Sequence, residues 1–184
     1  MDYFEIIAQV IGIFAMAFNI LSYQQKTPGK VMAFQFCGAS LFAVNFFMLG
    51  ATVGGIMNII AAVRALIFAN PKKFRADHIA WLIGFIALYG VSYLLTFTCF
   101  DKEWNLFNGI IELLPVIAMT VSTVSYRLQN AKAIRLFGLI VSPSWLVYNI
   151  INVAIGAIIC EVLSLGSIVI GLVRYDLKKE KING

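Results

Sequence analysis

The sequence predicts an all-α polytopic membrane protein: seven transmembrane helices arranged as a 3+1+3 parallel repeat. Three observations lead there. The chain is 61% apolar and 12% charged, with a mean hydropathy of +0.88, whereas a soluble domain is about one quarter charged. Its charge-poor runs each approach the ~20 residues needed to cross a ~30 Å hydrocarbon core. Shifting the chain on itself by 103 residues aligns the first three runs with the last three without a gap.

The first run, 4–23, follows Asp2 and Glu5 where a cleaved leader would carry Lys or Arg, and no small-residue cleavage site follows it, so it is expected to persist as a helix. Runs 31–49 and 51–69 come next, the latter with Gly50, Gly54, Gly55, Ala61 and Ala65 to allow close helix packing. Run 78–98 has no counterpart under the shift. Runs 105–125, 133–153 and 155–173 complete the set, with Pro115 expected to bend the first of them. Little sequence remains, so residues 1–184 read as a single integral membrane domain: a three-helix repeat at 4–69, a linker helix at 78–98 and a second repeat at 105–173.

Charge placement fixes the orientation. Thirteen of the 14 basic residues fall on one face, with Arg64 counted among them, and Lys102 stands on the other beside Asp101 and Glu103. By the positive-inside bias this puts the N-terminus outside and the C-terminus in the cytoplasm. The same placement explains the net charge of +5 as loops facing anionic lipid, with no nucleic-acid partner. Cys37, Cys99 and Cys160 form no CxxC pair, and no disulfide framework or metal site is indicated.

Eleven of the 65 aligned pairs from Phe4 to Phe68 are identical, including Ala15/Ala118, Met16/Met119, Ser22/Ser125 and Tyr23/Tyr126. Three helices is an odd number, so two units fused directly would face opposite ways. The single helix at 78–98 restores a common orientation, as a parallel repeat requires.

That plan resembles the SWEET and PQ-loop transporters. The stretches "FNILSYQQKTPGK", "FQFCGASLFAVNFFMLGATVGGIMN" and "WLVYNIINVAIGAIICEVLSLGSI" resemble the YgjV-like family of bacterial inner-membrane proteins, over nearly the whole chain. In SWEET-like proteins a Pro-Gln pair hinges the first helix of each repeat; here Ser22-Tyr23 and Ser125-Tyr126 stand in that place, followed by Gln24 and Arg127. The resemblance implies a central cavity lined by amides on the third helix of each repeat and aromatics on the second.

The candidate residues are those whose polarity is costly in lipid. Asn58 and Glu161 are equivalent under the shift, each about seven residues or roughly 11 Å from a helix end. Both are expected to turn inward, toward a wet cavity or a helix partner. Glu112, equivalent to Gln9, lies three residues before Pro115; with Glu161 it either carries a proton or braces the bundle. Phe42 pairs with Trp145 and Asn45 with Tyr148, offering an aromatic floor with amides above it for a small polar molecule; an interfacial aromatic belt is the alternative. Arg64 is expected to snorkel to the inner interface, with a salt bridge or an anionic-substrate contact as the alternative.

With one histidine, His78, and no GxxxxGK[ST], HExxH or GxSxG motif, an enzyme is not expected, nor is any cofactor. Two classes remain. One is a SWEET-like carrier or facilitator of a small polar metabolite such as a sugar, working by alternating access, or a carrier of a vitamin precursor of the nicotinamide riboside type. The other is a non-transporting membrane scaffold or sensor on the same fold. The expected partners are membrane lipids and a small-molecule solute, and a homo-oligomer is compatible with so apolar a surface.

Overall fold

A computed structural model describes residues 3–48, 52–99, 103–151 and 155–177, with the side chains of Glu5, residues 52–54, Ile155 and Leu177 excluded. Among these the chain is helical without strands: α1 (Tyr3–Ser22), α2 (Pro28–Met48), α3 (Thr52–Ala69), α4 (Pro71–Phe74), α5 (Ile79–Thr98), α6 (Leu106–Arg127), α7 (Ala131–Ile151), α8 (Ile155–Gly171) and a final π-helical turn, Leu172–Leu177. Asp2, Gly50, Asp101, Lys102, Lys178, Lys179 and Lys181, which bear on the orientation and packing expected from the sequence, lie outside the described residues, as does the side chain of Glu5.

The helices begin and end where local chemistry dictates. Pro28 opens α2 and Pro71 opens the single turn α4, positions where a missing N–H costs nothing. His78 caps α5 by accepting from the Ala80 amide at 3.2 Å, and Asn105 caps α6 by accepting from Asn108 at 2.8 Å. Asn130 caps α7 through Oδ1, taking the Lys132 amide at 2.8 Å. The C-terminal serines of α1 and α6 behave alike: Ser22 donates to the Asn19 carbonyl at 2.6 Å and Ser125 to the Ser122 carbonyl at 2.7 Å. Arg75 and Gln129 take left-handed backbone (φ 50° and 49°) where α4 and α6 give way to loops.

Five helical spans among the described residues are long and apolar enough to cross a membrane: Pro28–Met48, Ile79–Thr98, Leu106–Arg127, Ala131–Ile151 and Gly156–Asp176. Ile6–Ser22 and Gly55–Ala69 are shorter apolar stretches of α1 and α3. The outward faces carry exposed Ile, Leu, Val and Phe, among them Ile13, Ile59, Ile83, Leu94, Ile140 and Val162. In water such a surface would aggregate; in a bilayer it meets acyl chains.

Consecutive helices pack as neighbours, α1 on α2, α2 on α3, α6 on α7 and α7 on α8, and α5 lies on α6. The two groups of three meet along α1–α8, α3–α6 and α2–α7. Close approach is built in at Gly38, where a Cβ would stand 3.1 Å from the Ala15 carbonyl. The buried apolar core gathers where the groups meet, with Phe68, Phe85, Tyr89, Tyr126, Ile134 and Ile168 at its centre. Phe85 and Tyr89 are the buried residues of α5, so this helix is held mainly by one aromatic edge.

Candidate functional site

Among the described residues, the hydrogen bonds that join the two groups of helices lie toward the end of the bundle where the basic loops are, here called the basic end. On the α3–α6 seam, Arg64 is 4% exposed. Its Nη1 donates to the Met119 carbonyl at 3.0 Å, the Tyr89 hydroxyl at 3.2 Å and Thr123 Oγ1 at 3.3 Å, and contacts Met119 Sδ at 3.5 Å. The guanidinium also sits over the Tyr126 ring, 4.9 Å from its centre. Thr123 and Tyr89 share a further hydrogen bond at 3.0 Å, and Thr123 donates to the Met119 carbonyl at 2.7 Å.

This overturns the expectation that Arg64 snorkels. A snorkelling arginine needs an open path along its own helix to the interface. Here α5 and α6 close over the side chain, and neutral oxygens replace the water it would have reached. The inner loops therefore carry fewer basic residues than the sequence count assumed, since Arg135 too is buried within α7.

On the α1–α8 seam, Ser167 occupies the place equivalent to Arg64 under the 103-residue shift. Its hydroxyl donates to the Ile20 carbonyl at 2.7 Å, and Ile20 is the equivalent of Thr123. Gln24 closes the same seam, its Nε2 donating to the Ser167 carbonyl at 2.6 Å and hydroxyl at 2.9 Å. Across the middle, the Tyr126 hydroxyl donates to Gln35 Oε1. The Tyr23 ring lies against Gly138, the equivalent of Gln35, where a Cβ would stand 3.4 Å from Tyr23 Cε1. Gln129 Nε2 adds a bond to the Phe68 carbonyl at 2.8 Å.

A second knot ties the α1–α2 loop to α7 and the π-helical turn. Arg135, 1% exposed, donates through Nε to the Tyr23 carbonyl at 2.8 Å, through Nη2 to the Gln25 carbonyl, and through Nη1 to Asp176 Oδ2 at 2.7 Å. Its guanidinium stands 5.3 Å from the centre of the Tyr175 ring, which Lys26 and Arg174 also approach.

The residues singled out from the sequence sit farther from the basic end. Asn45 is 6% exposed and donates to the Ala8 carbonyl at 2.6 Å, tying α2 to α1. Glu112 is 8% exposed, and the Tyr148 hydroxyl reaches its Oε2 at 3.5 Å. Trp145 meets Tyr148 edge to face, centroids 5.8 Å apart. Glu112, Trp145 and Tyr148 thus form one cluster between α6 and α7. Phe42 pairs with Phe46 inside α2, centroids 6.2 Å apart. Asn58 is partly buried on α3 and has a partner of its own. Glu161 is partly buried on α8, near Ser142 of α7.

The family model for Imp-YgjV, bacterial inner membrane protein, matches residues 6–179. The chain belongs to this family. No curated protein and no solved structure matches it. As an Imp-YgjV protein it resides in the bacterial inner membrane, and the exposed aliphatic faces of its helices are its contact with lipid.

Tyr89, Thr123, Gln35 and Arg135 do not stand out in this Imp-YgjV sequence. A tyrosine in a linker helix and a threonine in an apolar run look like any other, and Arg135 lies among loop charges. The one usable signal is the recurrence of Ser-Tyr at the ends of α1 and α6, since both tyrosines prove to be buried, at 6% and 4% exposure.

Proposed function

We propose that this protein is a membrane carrier or facilitator of a small polar metabolite, non-enzymatic, built as seven spans in a 3+1+3 parallel repeat with the N-terminus outside. Solute would bind on the axis between the halves, and rocking of the halves would expose it to one face and then the other. One observation carries the reading. Contacts across the junction recur in equivalent pairs: the Arg64 to Thr123 hydrogen bond matches that of Ser167 to Ile20, and the Tyr126 bond to Gln35 is matched by the Tyr23 ring packed against Gly138. Two like units gripping each other at equivalent points, at one end of the bundle, are a clamp whose release opens that end. The bond of Tyr148 to Glu112, by contrast, ties α6 and α7 of one half together, giving that half the rigidity that rocking requires.

The likeness to SWEET and PQ-loop carriers supports the same reading, with Ser-Tyr in the hinge place. Asn58, Glu161, Phe42 and Trp145 are the proposed solute contacts, with Asn45, Tyr148 and Glu112 behind them. Sugars and vitamin precursors of the nicotinamide riboside type are the solute classes that the resemblance implies.

Cysteine accessibility tests this. With Cys37, Cys99 and Cys160 replaced by serine, Asn58→Cys and Glu161→Cys are labelled with a membrane-impermeant maleimide in vesicles of both orientations. A carrier with its basic end clamped labels from the opposite face, and Gln24→Ala with Ser167→Ala moves labelling to the basic face. Failure to label from either face, in both backgrounds, would refute it. A static scaffold is the second reading; Asn45, whose amide is already committed to the Ala8 carbonyl, favours it.

A further inference from the structure

We propose that Arg64 is the residue that takes the charged group of the solute, and that the solute is a small organic monoanion of the carboxylate type. The proposal rests on the carrier reading above. Arg64 is almost wholly buried, yet every partner described for it is neutral: a phenol, a threonine hydroxyl, a backbone carbonyl, a thioether and an aromatic face. All four of its contacts to N, O or S atoms leave from Nη1, and the equally buried Nε has no acceptor. A guanidinium held away from water without a counter-charge is costly. Its natural complement is a carboxylate, which takes two parallel N–H bonds in a fork that neutral single-oxygen partners do not offer.

The partners are also arranged to leave together. Arg64 belongs to α3, whereas Met119, Thr123 and Tyr126 belong to α6 and Tyr89 to α5. Parting of the halves at the basic end withdraws the α6 contacts in one movement and leaves the cation facing the opening. Lys72, Lys73, Arg75 and Arg127 stand exposed around that end, a field that concentrates small anions. The equivalent position in the other half is Ser167, so the site offers a single positive charge and fits a single negative one. In the clamped state the neutral oxygens of Tyr89, Thr123 and Met119 occupy the place of the anion. They are exchanged for it, not added to it.

The test is a thermal-shift titration of the purified full-length protein in detergent. Lactate, pyruvate and benzoate are compared with their primary amides, and sodium chloride and sodium phosphate serve as inorganic anions at matched ionic strength. At ten times its Kd a bound carboxylate raises the midpoint by about 3–5 °C. Arg64→Gln weakens binding about thirtyfold or more, and Arg64→Lys keeps part of it. Should Arg64→Gln fail to fold, Thr123→Val and Tyr89→Phe decide: each removes a competing neutral partner, so each must tighten carboxylate binding.

Amides that stabilise as well as carboxylates, chloride or phosphate as effective as the organic anions, or Thr123→Val and Tyr89→Phe variants that bind carboxylates no tighter than the parent would overturn the proposal. Its failure is separable from that of the carrier reading. A neutral solute that binds independently of Arg64 leaves the carrier standing, whereas Arg64-dependent carboxylate binding in a protein whose cysteines label from neither face leaves the anion site and removes the carrier.

Discussion

Replacing Asp176 by asparagine should be among the most damaging single changes at the basic end. The substitution keeps size and shape but removes the only carboxylate described within reach of Arg135. Arg135 is 1% exposed and Asp176 11%, so solvent screens the pair little. Breaking a buried ion pair from one side costs about 3–5 kcal/mol, because the surviving charge stays buried. The two carbonyl bonds to Tyr23 and Gln25 remain and soften the loss, so the lower end of that range, about 3 kcal/mol, is expected. Arg135→Met removes three charge-assisted bonds together and should cost about as much. The double variant should cost less than the two singles combined, with a coupling of about 1–3 kcal/mol, since neither charge is then left alone. Reversible unfolding in bicelles, followed by tryptophan fluorescence, measures the cycle. Additive single effects, or an Asp176→Asn cost under about 1 kcal/mol, would refute the reasoning that a desolvated ion pair fastens α7 to the π-helical turn.

The junction makes three further predictions. Gly171→Ala should destabilise strongly, because its Cβ would stand 2.6 Å from the Tyr23 carbonyl and 2.9 Å from Arg135 Nε; Gly84→Ala, with nothing within 4 Å, should gain up to about 1 kcal/mol from helix propensity, and the paired melts read both. Tyr126→Phe leaves Gln35 Oε1 buried without its donor and should cost about 1–3 kcal/mol in the same unfolding assay, with no loss expected if that oxygen finds water. Gln24→Ala removes two bonds from the α1–α8 seam, should cost about 1–2 kcal/mol, and should raise maleimide labelling of Ser167→Cys from the basic face; unchanged labelling would mean the seam does not depend on Gln24.

Much of the architecture is legible in the order of the amino acids. The apolar run at 78–98 corresponds to α5 at Ile79–Thr98, and the run at 31–49 to α2 at Pro28–Met48, because apolar length and capping residues are local properties. The π-helical end at Leu172–Leu177 leaves no such trace, being short and packed around Arg135 and Tyr175. Arg64 departs from the snorkelling expectation for a physical reason. Its distance from the helix end allows snorkelling, and only the positions of Tyr89, Thr123 and Met119 on other helices decide against it.

By itself the sequence determined the environment: apolar runs of membrane length with basic residues gathered in the segments between them, both consequences of composition along one dimension. Which polar groups meet was decided by the tertiary structure alone. A hydrogen bond between residues 24 and 167, or 35 and 126, depends on how helices from opposite halves are turned about their axes, and that rotation is set by packing summed over many side chains, a quantity no single stretch of sequence contains.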